Sequence, residues 1–474
     1  MQGIKDADVA IIGAGTAGLS AYSEVHKATE QVVLINGGPA GTMCARVGCM
    51  PSKVLIQVAN DFHRRHRLAV QGILGNEQLR VDRSRVLAYV RSLRDHFVHS
   101  VLTSLEKLGD HYIEGYARFL TPTMLDVEGQ RIRAKRIIIA TGSHPIIPQD
   151  WQVADGRLLT TDSLFEQLQL PSFLAVVGLG AIGAEMGQAL ARLGVDVTGF
   201  DQAQQVAGLT DPEVNICMQE ILNEELSLHL GAAVTVRSEG DTLAIHGGEE
   251  TIHVDKILAS LGRRPHVAQL GLENLGMALN EHGLPPYDPS TLQVEGLPIF
   301  ITGDADGDRP VLHEAADDGR IAGFNSIQDT PHCFQRRTRL SIVFSEPNVA
   351  VVGHSFAELR QHDIAIGTVH FAQQGRATIM AENRGMLRVY GDKQTGRVLG
   401  AELAAPRGEH LAHLLAWAVQ KEMTVFDLLQ LPFYHPVVEE GLRTALRDLS
   451  HQVHQQRSLF DLALCDSTAV GEMS

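Results

Sequence analysis

Cysteine is scarce, five in 474 residues, which excludes a secreted disulfide framework. Basic residues are outnumbered by acidic ones, 40 to 56, for a net charge of −16. No basic field is available to meet phosphates, so nucleic-acid binding is excluded as a main role. The short run HRRHR at 63–67 reads as a solvated helix face. No apolar run approaches the ~20 residues that a membrane helix needs. A buried-strand pattern, DADVAIIGAG, begins within the first ten residues, so no signal peptide is expected. The expectation is a cytoplasmic protein with neither membrane nor nucleic-acid partners. Long linkers and low-complexity tracts are also missing.

Glycine is plentiful, 45 residues, as tight strand–helix turns require. DVAIIG, then GAGTAG, then LSAYSEVHKA and QVVLIN read as strand, turn, helix, strand. The pattern recurs in LAVVGLGAIGAEMGQALARLGVDVTGFD, about 165 residues later. The closing runs RIIIATGSHP (136–145) and KILASLGRRPH (256–266) echo each other, and LPIFITGDAD (297–306) is a further strand. Helices are expected from near Pro51 and over about 80–110. After about 340, SIVFSEPNVAVVG and LRVYGDKQTGRVLGAEL predict antiparallel strands, with helices at about 409–420 and 437–450. The tail beyond about 455 is weakly patterned. The fold class is α/β: two tandem Rossmann-like units, over 1–150 (completed by about 271–340) and 151–270, and an α+β unit over 341–474.

Gly13, Gly15 and Gly18 form G-x-G-x-x-G between a strand and a helix. The first allows the tight turn, the second lets a pyrophosphate approach, and the third packs helix on strand. Asn36 stands where an acid ordinarily holds the adenosine ribose. Gly178, Gly180 and Gly183 repeat the motif, and here Asp201 fills the ribose position. Its carboxylate repels a 2′-phosphate, and the following QAQQ offers no arginine, so NAD(H) is favoured over NADP(H).

Between the two units lies GTMCARVGCMPSK (41–53), with Cys44 and Cys49 five positions apart. Structural zinc needs four ligands, and Cys217, Cys333 and Cys465 are isolated. Five steps along a regular helix separate Cα atoms by roughly 8–9 Å, beyond the ~7 Å reach of a disulfide. If the two bond, Cys44 must leave the helical path, which Gly48 eases, and Pro51 suits the first turn of the next helix. A thiol at a helix N-terminus is acidified toward the thiolate. Thiol chemistry also needs a base. LPFYHPVVEEGLRTAL places His435 before Pro436, which suits the first turn of a helix; the positive helix end lowers an imidazolium's pKa. Glu439 or Glu440 is close enough in sequence to raise it and orient the ring.

Two dinucleotide turns flanking C-x4-C-x-P-S-K resemble the flavin-dependent pyridine-nucleotide disulfide oxidoreductases, nearest to their dihydrolipoamide-oxidising branch. The resemblance covers about 8–450. It implies FAD on the first unit, NAD on the second, and a redox disulfide Cys44–Cys49. Cys44 would exchange with substrate, and Cys49 would lie against the flavin as a charge-transfer thiolate. Lys53 and Glu185 match the ion pair near the flavin's reactive nitrogen. ATGS (140–143) and TGDA (302–305) match further FAD contacts. The implied cofactor residues also include Thr42, Thr141, Gly142, Gly262, Arg263, Gly303 and Asp304. His435 and Glu440 match the acid–base dyad, which comes from the partner subunit and so implies a homodimer. Phe433 and Val437 depart from the usual pattern there, and Arg46 replaces a common Asn; it either meets an anion or thiolate or faces solvent.

The implied reaction oxidises dihydrolipoamide, or a similar dithiol, with NAD⁺, and a 2-oxo acid dehydrogenase complex is a possible setting. A glutathione-type reductase is the enzymatic alternative, opposed by Asp201. A mercuric reductase would need a close cysteine pair near the C-terminus, and a soluble transhydrogenase would lack the 44/49 pair. A non-catalytic flavoprotein, a redox sensor or complex subunit, is the alternative of another class.

Overall fold

The computed structural model describes residues 4–154 and 156–454, together with Leu462. The weakly patterned tail and Cys465 lie outside the described residues.

The first sheet runs Tyr112–Glu114, Val32–Asn36, Lys5–Ile12, Gln130–Ile139, Met124–Val127, Ala117–Thr121. Its core pairs are parallel, with Val9 level with Val32 and with Arg136. The run VVLI is buried throughout, as helices on both faces of a parallel sheet require. Ile299–Ile301 returns from far along the chain to pair with Ile137–Ile139. The helix Leu312–Ser326 follows it back onto the helix Thr16–Val25. A Cβ on Gly319 would stand 2.2 Å from the Ala17 carbonyl oxygen, so only glycine allows that approach.

The second sheet is also parallel: Ser227–Leu230, Asp196–Asp201, Phe173–Val177, Lys256–Ala259, Leu158–Leu159. Beside it lies a three-stranded antiparallel meander, Val234–Glu239, Thr242–Gly247 and Glu250–Val254, which the periodicity reading does not separate from its surroundings. The last sheet is antiparallel, in the order Leu340–Val343, Asn348–Gly353, Val398–Ala405, Met386–Asp392, Ile364–His370. Helices Gly408–Gln420 and Glu440–Ser450 pack on it through Leu411, Leu415, Leu442, Leu446 and Leu449.

One helix boundary corrects the sequence reading. Pro436 does not open the last helix. It lies in a cis peptide with His435, and the helix starts at Glu440. The positive helix end therefore acts on Glu440 rather than on His435. Among the described residues, no helix is long and apolar enough to cross a membrane.

Candidate functional site

The cysteine segment is two helices, not one. Met43–Arg46 ends at Val47, and Cys49–His63 begins after Gly48. The Thr42 side chain caps the first by accepting from the Ala45 N–H at 3.2 Å. This break takes Cys44 off the second helix's path and turns it toward Cys49. Both residues are thiols here. The Cys44 thiol hydrogen-bonds to Cys49, which pulls the Cys49 thiol down from 9.0 to about 7, against its burial and with help from the Lys53 ammonium. The same contact, with burial, pushes Cys44 upward. The pair thus divides into an acidic member and one that keeps its proton.

Both thiols open on a cavity of about 1270 Å³, larger than a single small ligand needs. Gly15, Gly178 and Gly180, Lys53 and Glu185, Gly142, Asp201, Gly262, Arg263 and Asp304 line it too. Each turn divides its glycines in the same way. A Cβ on Gly13 or Gly18 would lie 2.2 or 1.8 Å from a backbone oxygen, and one on Gly178 or Gly183 2.4 or 1.8 Å. A Cβ on Gly15 or Gly180 would meet nothing within 4 Å. The outer glycines are packing requirements, and the middle ones border open space at a helix N-terminus. These are cradles of the shape a pyrophosphate fills.

Lys53 Nζ donates to both Glu185 oxygens, at 3.0 and 2.8 Å. Glu185 is buried and also accepts from the Phe344 N–H at 2.8 Å, and the ammonium sits 4.7 Å from the Phe344 ring centroid. One contact therefore joins the cysteine helix, the second glycine helix and the start of the last sheet. On the opposite wall, Ser143 Oγ donates to Asp304 at 2.7 Å, and Arg263 Nε donates to Ser143 Oγ at 2.8 Å. Arg263 also reaches Met43 Sδ, next to Cys44. Thr302 lines the cavity with a fully buried hydroxyl that has no partner, and the Thr141 hydroxyl is likewise buried and unpaired. An orphaned group on the cavity wall, as the Thr302 hydroxyl is, fits a polar ligand. The donor sets and open glycines fit both dinucleotides.

Other expected residues fall elsewhere. Gly13, Gly18, Thr42, Thr141, Gly183 and Gly303 are not in the lining, and Asn36 borders a separate small cavity. Asp201 also holds its own turn: Oδ2 accepts from the Leu179 N–H at 2.6 Å and Oδ1 from the Ala203 N–H at 2.8 Å. Arg46 is not in the lining either; its stem packs on Gly41, and its Nε is buried without a partner. His313 and His413 do line the cavity, and nothing in their local sequence marks them among 22 histidines.

His435 and Glu440 pair as expected, with Nδ1 3.0 Å from each carboxylate oxygen. The His435 contact holds the Glu440 carboxyl below its usual range. The dyad is not part of the cysteine cavity of its own chain, and the His435 side chain is 80% exposed.

Residues 7–319 match the family model described as pyridine nucleotide-disulphide oxidoreductase, and 340–446 match that family's dimerisation domain. A dihydrolipoyl dehydrogenase from Trypanosoma brucei brucei is 30% identical over 92% of this chain and 95% of its own. One from Thermus scotoductus is 28% identical, covering 95% and 98%. A mercuric reductase from Staphylococcus aureus is 26% identical, covering 93% and 82%. Among solved structures, LpdA from Mycobacterium tuberculosis superposes with a TM-score of 0.82 at 26% identity, over 94% of this chain and all of that one. Members of the family use FAD and NAD(H), and the dimerisation domain supports a homodimer. The chain belongs to the pyridine nucleotide-disulphide oxidoreductases, the flavin-dependent disulfide oxidoreductases.

Proposed function

We propose that this chain oxidises a dithiol of the dihydrolipoamide class with NAD⁺. The observation that carries this reading is the position of Cys44 and Cys49 on one cavity with both open glycines, Gly15 and Gly180. In this reading residues 1–150 and about 271–340 hold FAD, 151–270 hold NAD, and 341–474 form the dimer. When bound, FAD supplies a two-electron relay between the cysteine pair and NAD.

The cycle starts from the Cys44–Cys49 disulfide. His435 of one protomer takes a proton from the substrate dithiol, oriented and stabilised by Glu440. The substrate thiolate attacks Cys44 Sγ, the S–S bond breaks, and Cys49 leaves as thiolate. The second substrate thiol then attacks its own mixed-disulfide sulfur and expels Cys44, which takes the first proton back from His435, while the second thiol's proton passes to His435 and on to solvent. The substrate is oxidised by two electrons and the cysteine pair reduced by two. A thiol with a pKa of about 7 is a good leaving group, and the raised Cys44 keeps the returned proton. Asp201 favours NAD⁺ by repelling a 2′-phosphate.

The test is a steady-state assay of dihydrolipoamide with NAD⁺, beside NADPH with oxidised glutathione. Turnover is expected in the first pair. Turnover only in the second would replace the substrate reading, and a protein that stays colourless with added FAD would sink the enzyme itself.

A further inference from the structure

Asn36 occupies the place where a carboxylate ordinarily holds an adenosine ribose. Its amide is already engaged. Oδ1 accepts from the Ala14 N–H at 3.4 Å, and Nδ2 donates to the Gly38 carbonyl at 2.7 Å. Asp201 makes the equivalent turn contact in the second unit, with one carboxylate oxygen on Leu179 N–H. The amide thus preserves the turn but offers no charge to a diol.

The missing charge stands on the neighbouring strand. Asn36 and Glu114 are register partners, and the Gly115 N–H donates to the Asn36 carbonyl at 3.0 Å. A cavity of about 330 Å³ opens here, bordered by Asn36, Tyr112, Glu114 and Glu128. Glu128 is committed, accepting from the Tyr116 N–H at 3.4 Å. Glu114 is exposed, and its side chain has no hydrogen bond or ion pair among the described residues. Tyr112 leans on Asn36 with a buried hydroxyl that lacks a hydrogen bond of good geometry.

We propose that Glu114 supplies the carboxylate that Asn36 lacks, accepting hydrogen bonds from the ribose hydroxyls at the adenosine end of FAD. The proposal rests on the reading of the Gly13–Gly18 turn as the FAD turn. A charge-assisted bond to a hydroxyl is about twice as strong as a neutral one. Its loss predicts a fall in FAD affinity of about 10- to 100-fold.

The experiment measures dissociation constants by flavin fluorescence for wild type, E114Q, E128Q and N36E/E114Q. FMN, which has no adenosine, is the comparison ligand. The proposal expects E114Q to lose FAD affinity by that factor with FMN binding unchanged. It expects E128Q to shift FAD by less than about threefold, and N36E/E114Q to recover most of the loss. Unchanged FAD affinity in E114Q, or an equal loss for FAD and FMN, would overturn it. A wild-type protein that binds FMN and FAD equally would overturn the parent reading as well, since no adenosine contact would then exist.

Discussion

The division of the cysteine pair into an acidic and a proton-keeping member rests chiefly on one contact, the hydrogen bond between the two thiols. Replacing Cys44 by Ala removes that donor, whereas Ser keeps one. With its pKa at about 7, Cys49 is half thiolate at pH 7, and the thiolate is lost as the pH falls further. Without the contact, at an ordinary 9.0, about 1% is thiolate at pH 7, roughly 50-fold less. A less acidic thiol is also the better nucleophile, by about eightfold over this interval. The net expectation for Cys44→Ala is alkylation of Cys49 by iodoacetamide about sixfold slower at pH 7. At pH 10, where both thiols are mostly ionised, the variant should be about sevenfold faster. The pH–rate curves must therefore cross. Lys53 stays in place and keeps the shift somewhat smaller than this limit. The measurement uses reduced protein with Cys217, Cys333 and Cys465 changed to Ser, comparing Cys44→Ala with Cys44→Ser. Parallel curves for the two variants, with no crossing, would refute the hydrogen bond as the source of the acidity.

Lys53→Met should destabilise the fold by about 2 kcal/mol, because buried Glu185 keeps only the Phe344 N–H; a denaturation midpoint equal to wild type would contradict this. Arg192→Met should cost more, about 3–5 kcal/mol, since the buried guanidinium serves Glu225, Glu346 and Asn60 together. Urea unfolding monitored by circular dichroism measures it. His435→Gln should slow dithiol turnover by about 10²–10⁴-fold while leaving reduction of the bound flavin by NADH unchanged. Stopped-flow traces of both halves decide this, and equal losses would make His435 structural.

The parts of the site that could be read in the sequence are those carried by adjacent residues. The two glycine turns, Cys44 with Cys49, and His435 with Glu440 each lie within a few positions of one another, so spacing alone conveys their chemistry. Glu114 could not be read this way. It acts through register with Asn36, 78 positions earlier, and no periodicity reports which residue faces which across a sheet. The sequence leaves Arg46 open between an anion or thiolate contact and solvent; in the structure it is outside the cavity lining, with its Nε buried and unpartnered. Pro436 suits a helix's first turn, so spacing points to a helix there, whereas the residue lies in the loop before a helix that starts at Glu440. The antiparallel meander at 234–254 has short strands with exposed faces, which blur alternation.

Charge, rather than apolar area alone, fixes how the three sheets meet around the cysteines. Lys53–Glu185–Phe344 joins all three beside the thiols. Arg192, two turns along the same helix from Glu185, extends the joint, with Glu225 on its own unit, Asn60 on the cysteine helix and Glu346 on the last unit. A third contact ties the last sheet to the second unit. Fully buried Glu402 accepts from the Thr210 and Asp211 N–H groups at 2.7 and 2.8 Å, and Asp211 accepts from Arg388 and Tyr390 at 2.7 and 2.9 Å. Buried ionic groups add little net stability over well-packed apolar residues, but each demands its partner's position. A relay between two bound dinucleotides and a thiol pair needs that kind of registration, because Gly15, Gly180 and Cys49 come from three separate segments and must face one cavity. The buried ion pairs are therefore best understood as the means by which this chain holds its two nucleotide turns at a fixed distance from its cysteines.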